Sequence, residues 1–375
     1  MKQNIFYPPS RTLMGPGPSD VPARVLQALA KPTLGHLDPC FIELMNHIQK
    51  LLRATFLTKN PLTLPISAPG SAGMEACFVN LVEPKEKVLI CQNGVFGTRM
   101  EEIVKRIGGQ AILVKDDWGR AVDPEKVEDA LKTHPDTAIL AFVHGETSTG
   151  ALSDAKILGQ LAQKYDCLSI VDAVTTLGGV ELQVDDWSLD AVYSGTQKCL
   201  SAPPGLSPVT FSPRAVEKIK QRKSPILSWF LDLKLILQYW DDDSNKRTYH
   251  HTAPVNGLYG LLEALTILQE EGLEQAWSRH KRMHNLLKKR LEKLDLQFMV
   301  PENERLPQLN SIVVPEKLNA EQVRAYVLEK FNLEIGAGLG PMAGKIWRIG
   351  LMGASASINN VSLCATALEE SLNMA

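Results

Sequence analysis

Residues 167–205 read CLSIVDAVTTLGGVELQVDDWSLDAVYSGTQKCLSAPPG. Two short apolar runs stand out, CLSIVD (167–172) and DAVYSG (190–195). Both are continuously apolar rather than alternating, the pattern of strands covered on both faces in a parallel sheet with helices on each side. The first run ends in a carboxylate, Asp172. The second is followed by Thr196, Gln197 and Lys198, just ahead of a Pro-Gly turn. Charge at the end of a buried strand is costly unless it meets a partner or a ligand.

The same pattern extends outward. LTLPIS (62–67), KVLIC (87–91), AILVK (111–115), TAILAFV (137–143) and LSPVTF (206–211) read as five further strands. Helical patterns lie between several of them. VFGTRMEEIVKRIGG ends in a glycine pair, a helix stop signal. DPEKVEDALKTH offers Asp123 as N-cap and Pro124 at the first helical position. This alternation predicts an α/β fold with a mostly parallel seven-stranded sheet. After about residue 213 long helices dominate, and the last hundred residues mix helices with the short strands LNSIVVP and KIWRIGLMG. The expected division is an N-terminal segment (1–20), a large unit (21–271) and a small α+β unit (272–375).

The chain has 375 residues, 44% hydrophobic and 22% charged, with net charge −2. That composition is globular and gives no electrostatic reason to bind nucleic acid or an acidic membrane. The N-terminus lacks a secretory apolar core, and no apolar stretch is long enough to span a bilayer. Six cysteines without CxxC spacing fit a reducing compartment, and a cytoplasmic location is expected. Cys199 beside Lys198 is read as a buried thiol rather than a reactive one. Asp241, Asp242 and Asp243 read as a solvated turn, and the adjacent His250 and His251 do not form a metal set; no metal is expected. His36 is read as a packing residue.

In such a sheet, ligands bind beyond the carboxyl ends of the strands. Those ends deliver Ala68-Pro69-Gly70-Ser71 before a helix, Asn93 to Gly97, His144 to Gly150, then Asp172 with Thr175 and Thr176, and finally Ser194 to Lys198. A turn of small residues opening a helix suits a phosphate; the plainer reading of Ser71 is a helix N-cap. Phe96 is either core or a flat surface for an aromatic cofactor. Asp172 and Lys198 permit two readings. One is a buried salt bridge. The other is a cofactor held between them, with the lysine bonded to an aldehyde and the aspartate on a protonated ring nitrogen, as in pyridoxal phosphate chemistry. The phosphate-type turn favours the second.

The motifs MGPGPSDVP (14–22), LGHLDPCF (34–41), HGETSTG (144–150), VDAVTTLGG (171–179), YSGTQKCLSAPPG (193–205), YHHTAPVNGLYGLLEAL (249–265) and GLGPMAGKIWRIGLMG (338–353) occur in the order found in class V, fold-type I aminotransferases. The chain resembles that family nearly end to end, and within it the alanine–glyoxylate/serine–pyruvate group. The resemblance implies pyridoxal 5'-phosphate as cofactor, small amino and keto acids as substrates, and a homodimer. Lys198 would bond to the cofactor and Asp172 would meet its ring nitrogen. Gly70, Ser71 and Ala72 would surround its phosphate, with Gln197. Phe96 would face the ring, and Thr147 would approach its phenolic oxygen. Tyr249 and Thr252 would reach the other subunit's phosphate. Arg348 would clamp the substrate carboxylate, with Thr176 and Gly17 nearby. Two departures stand out: Phe96 occupies a position that is often Trp or His, and Pro69 removes one N–H from the phosphate turn.

Arg348 in WRIGL has a plainer reading, a pair with a surface acid, and Gln197 a plainer one as a turn residue. Rival activities are serine–glyoxylate or phosphoserine transamination and cysteine desulfuration. The phosphoserine enzyme needs further basic residues, which the sequence does not reveal. The desulfurase needs a mobile cysteine, and Cys364 sits in an expected terminal helix. A nicotinamide-dependent dehydrogenase is disfavoured because GAGLGP (336–341) has the wrong spacing and place.

Overall fold

The computed structural model describes residues 6–240 and 247–372. In chain order its strands are β1 (Thr12–Met14), β2 (Leu62–Ile66), β3 (Lys87–Gln92), β4 (Gln110–Lys115), β5 (Thr137–Val143), β6 (Gly145–Glu146), β7 (Ala151–Leu152), β8 (Leu168–Asp172), β9 (Ala191–Tyr193), β10 (Ser207–Phe211), β11 (Leu309–Val313), β12 (Leu333–Ala337) and β13 (Ile346–Gly350).

Seven of them form the large sheet, in the order β2-β10-β9-β8-β5-β3-β4. Only β10 runs against its neighbours; the remaining pairs are parallel. All seven apolar runs of the sequence are strands of this sheet. The reason is burial: β2, β8, β9 and β10 have no exposed residue on either face. The helices Gly70–Leu81, Val95–Arg106, Pro124–Thr133 and Ala155–Lys164 lie between its strands in the chain. Asp123 caps the third of these through the N–H of Glu125, and Asp154 caps the fourth through that of Ile157. The second stops at Ile107, before Gly108 with φ +82°.

A second sheet has the order β1-β12-β13-β11, with β1 parallel to β12 and the rest antiparallel. It carries its own core, in which Met14 packs with Leu287, Val327, Trp347, Ile349 and Leu368. The sequence reading foresaw β11 and β13 but neither β1, three residues long, nor β12, whose Glu334 interrupts its apolar pattern. The hairpin β6-β7 folds HGETSTG back on itself. The Asp241–Asp243 run lies outside the described residues. Among the described residues no helix is long and apolar enough to cross a membrane, and no cluster of His, Cys, Asp or Glu could hold a metal ion.

Candidate active site

The carboxyl ends of β2, β3, β8 and β9 converge on a cavity of about 220 Å³. Gly70, Ser71, Phe96, Asp172, Gln197 and Lys198, all singled out from the sequence, line it. So do Arg99, Val174 and Tyr193, which the sequence reading did not single out.

Asp172 ends the central strand β8 and is 3% exposed. Its carboxylate accepts from Val174 N–H at 2.9 Å and from the Tyr193 hydroxyl at 2.8 Å. Burial pushes its pKa up to about 6, against the opposing pull of those two donors and of Lys198 and Arg99. Lys198 is 8% exposed. Burial, aided by the positive charge of Arg348, lowers its pKa to about 8, with Asp172 acting the other way. Its Nζ donates to the Pro16 carbonyl. Asp172 and Lys198 form no ion pair among the described residues, so the salt-bridge reading of the two is not realised; each keeps a different partner.

The N-terminal segment is built around this lysine. Ser19 Oγ donates to the Lys198 carbonyl at 2.8 Å, and Ser19 N–H to that of Gln197 at 2.9 Å. Gly17, at φ +104°, passes so close that a Cβ there would sit 2.6 Å from Lys198 Nζ. Only glycine permits that approach.

The phosphate-type turn opens the helix Gly70–Leu81, whose N-cap is Pro69 with no side-chain cap. Ser71 therefore lies inside the first turn, and the reading of Ser71 as N-cap is corrected. Its hydroxyl instead accepts from Arg99 Nη1 at 3.1 Å. Ala72 N–H is occupied by the Pro69 carbonyl at 2.7 Å. The N–H groups of Gly70 and Ser71 have no partner within the helix, by their position in its first turn. Gln197 Oε1 is buried without a hydrogen-bond partner.

The hairpin turn supports the site from behind. Glu146, fully buried, accepts from Phe96 N–H at 3.2 Å and from Ser148 N–H at 3.0 Å, while Ser148 Oγ accepts from Val95 N–H at 3.0 Å. Together they cap the helix that carries Phe96 and Arg99. Burial pushes the Glu146 pKa up to about 7. The Thr147 carbonyl accepts from Arg348 Nη1 at 3.0 Å, and the Ala337 carbonyl from Arg348 Nε at 2.7 Å. Arg348 is 6% exposed on β13 and makes no ion pair among the described residues, which sets aside a surface acid as its partner. Burial lowers its pKa to about 10.

Several expected site residues do not face the cavity. The Thr147 hydroxyl is bonded to that of Thr175. Thr176 Oγ1 pairs with His144 Nδ1 at 3.1 Å. Tyr249 is exposed and meets Thr252 at 3.3 Å, away from this chain's own cavity. His36 packs its ring on Tyr249 at 5.1 Å. Cys199 and Cys364 are buried thiols, each with its pKa raised by burial to about 12. Of the missed residues, Arg99 had one signal: it stands three residues after Phe96, on the same face of its helix.

This arrangement of sheet, turn, lysine and aspartate is the fold-type I transferase architecture. The chain belongs to the class-V aminotransferase family, whose family model matches residues 13–359. It is similar to alanine–glyoxylate aminotransferase of Oryctolagus cuniculus, 40% identical over 97% of this chain and 93% of that one. It is also similar to (S)-ureidoglycine–glyoxylate transaminase of Bacillus subtilis (strain 168), 38% identical over 96% and 90%. The crystal structure of an alanine–glyoxylate aminotransferase from Nostoc sp. superposes with a TM-score of 0.96 at 42% identity, covering 99% of this chain and 98% of that one. The chain is an aminotransferase.

Proposed function

We propose that the chain uses pyridoxal 5'-phosphate to move the amino group of alanine (or serine) to glyoxylate, giving glycine and pyruvate (or hydroxypyruvate). The observation that carries this is a buried lysine amine and a buried aspartate lining one cavity, each without an ion pair among the described residues. The residues fit the cofactor in two respects. The helix start at Gly70 and Ser71 presents N–H donors. Phe96 presents an aromatic face. The relatives named above take different amino donors in their names but share glyoxylate, which supports glyoxylate as acceptor here.

When bound, the cofactor supplies an aldehyde for amines and a ring that takes up the electron pair released at the donor's Cα. Lys198 would hold the cofactor's aldehyde, and its Nζ, an amine whose pKa burial lowers to about 8, would serve as the base for the donor's Cα proton. Asp172 would hold a proton on the ring nitrogen, where the opposite charge would offset its own burial. Arg348 keeps two carbonyl partners that fix its plane, and its remaining N–H donors bind the donor's carboxylate as a fork. Gly70, Ser71 and Gln197 hold the phosphate. The exposure of Tyr249 and Thr252 supports their serving a second subunit's site in a homodimer. Six free cysteines support a reducing, cytoplasmic setting. We further place the main division of the chain near residue 271, with residues 1–20 joining the site.

Borohydride reduction and peptide mapping test the lysine: the adduct is expected on Lys198. A half-reaction screen then follows the bound cofactor's absorbance with alanine, serine, phosphoserine and ureidoglycine in turn, and its recovery with glyoxylate or pyruvate. An adduct elsewhere, or no recovery with glyoxylate, overturns the assignment. A response to ureidoglycine alone replaces alanine as donor and leaves the acceptor standing.

A further inference from the structure

The guanidinium of Arg99 occupies an electrostatically unfavourable place. Its Nη1 lies 3.1 Å from Ser71 Oγ, at the start of the helix Gly70–Leu81, where the positive end of the helix dipole repels a cation. Other basic residues of its own helix are neutralised: Lys105 pairs with Glu101 and Arg106 with Glu102. Arg99 forms no ion pair among the described residues. It is held by the Ser71 hydroxyl and by the Phe96 ring, whose centroid is 4.9 Å from its guanidinium carbon. Positive charge thus converges from two elements on the cavity, which Ser71 and Arg99 both line.

We propose that Arg99 is a direct ligand of the cofactor's phosphate group, supplying the charge that the proline-interrupted turn does not. The identity of the anion rests on the function proposed above. A helix start with Pro69 as its cap offers few backbone donors to a doubly charged group, and a guanidinium fork adds both charge and hydrogen bonds. The two arginines stand apart. Arg348 is held by the Thr147 and Ala337 carbonyls and does not line the cavity, whereas Arg99 lines it and touches the helix start. Phe96 and Arg99, three residues apart, then form one device: the ring faces the cofactor ring, and the cation lies over Phe96 and reaches the phosphate.

The test compares pyridoxal 5'-phosphate with pyridoxal, which lacks the phosphate, as ligands of the full-length apo protein, followed by fluorescence. Arg99→Gln is expected to weaken pyridoxal 5'-phosphate binding about 10- to 100-fold and to leave pyridoxal binding unchanged. Arg99→Lys, which keeps the charge and loses the fork, is expected to fall between; it carries the test if the Gln variant does not fold. Equal weakening of both ligands would show that Arg99 only props the Phe96 ring, and no weakening would show that it does not meet the phosphate. An effect confined to the KM of phosphoserine would assign the cation to a phosphorylated substrate instead. Inorganic phosphate gives an arm independent of the proposed reaction: millimolar phosphate should raise the melting temperature of the wild type and not of Arg99→Gln. If the wild type binds phosphate this way yet takes up no pyridoxal 5'-phosphate, the anion site stands, and both the proposed function and the cofactor as its ligand fall.

Discussion

Replacing Gly17 by alanine measures how closely the N-terminal segment registers the amine of Lys198, the proposed base. A Cβ at this position lies 2.6 Å from Lys198 Nζ, 2.7 Å from Cδ and 2.9 Å from Cε. Non-bonded carbon contacts settle at about 3.5–4.0 Å, so the lysine must retreat by roughly 1 Å. The backbone there has φ +104°, where an L-residue costs about 1–2 kcal/mol. The contacted atoms are the free end of a flexible side chain, so the fold absorbs the change and the amine does not. A 1 Å misplacement of a reacting group costs about 100-fold in rate. Steady-state assays with alanine and glyoxylate should show kcat reduced by about that factor, with a melting temperature only a few degrees lower. Gly15→Ala is the control, because its Cβ would meet nothing nearer than 3.6 Å; it should behave as the wild type. A Gly17→Ala enzyme with kcat within a few-fold of normal would refute the idea that this segment sets the position of the amine.

Three further outcomes follow from the site. Arg348→Lys should raise the KM for alanine about tenfold or more with a smaller change in kcat, since a point charge replaces a planar fork; an unchanged KM places the carboxylate clamp elsewhere. Asp172→Asn should retain the fold and the covalent attachment at Lys198 yet lower kcat by about 100- to 1000-fold, and nearly full activity would defeat the electron-sink role. Because only the unprotonated amine bonds an aldehyde, the rate of cofactor uptake by the apo protein should rise with pH and level off above about 8. In stopped-flow absorbance, a rise continuing to about pH 10, as for an ordinary lysine, would show that burial does not lower this pKa.

The large sheet was legible because its strands are buried on both faces, which writes continuous apolar runs into the sequence. Lys198 and Asp172 were legible for the complementary reason: charge is conspicuous where such a run stops. The resemblance supplied roles that no periodicity shows, among them those of Tyr249 and Thr252. What stayed hidden depends on pairing in space. Tyr193 reads as one more strand aromatic, and nothing in the sequence says that its hydroxyl meets Asp172. Arg99 sits on an amphipathic helix among Glu101, Glu102 and Lys105, where basic residues usually mark a solvated face. The hydroxyls of Thr147 and Thr176 look available in the sequence, yet each is taken by a neighbour from another loop. The strand β1 was hidden because three residues are too few to show a period.

That short strand has a mechanical consequence. Residues 12–14 are hydrogen-bonded into the sheet otherwise made by residues 309–350, and two residues later the Pro16 carbonyl holds the amine of Lys198. The stretch from Met14 to Ser19 is thus a cord strung from the second sheet to the loop that carries Lys198, anchored at one end by backbone pairing and at the other by Ser19. Displacement of the second sheet is therefore transmitted to the amine through this cord as well as through Arg348 of β13, and a cut between Met14 and Pro16 would sever the first route while leaving the second.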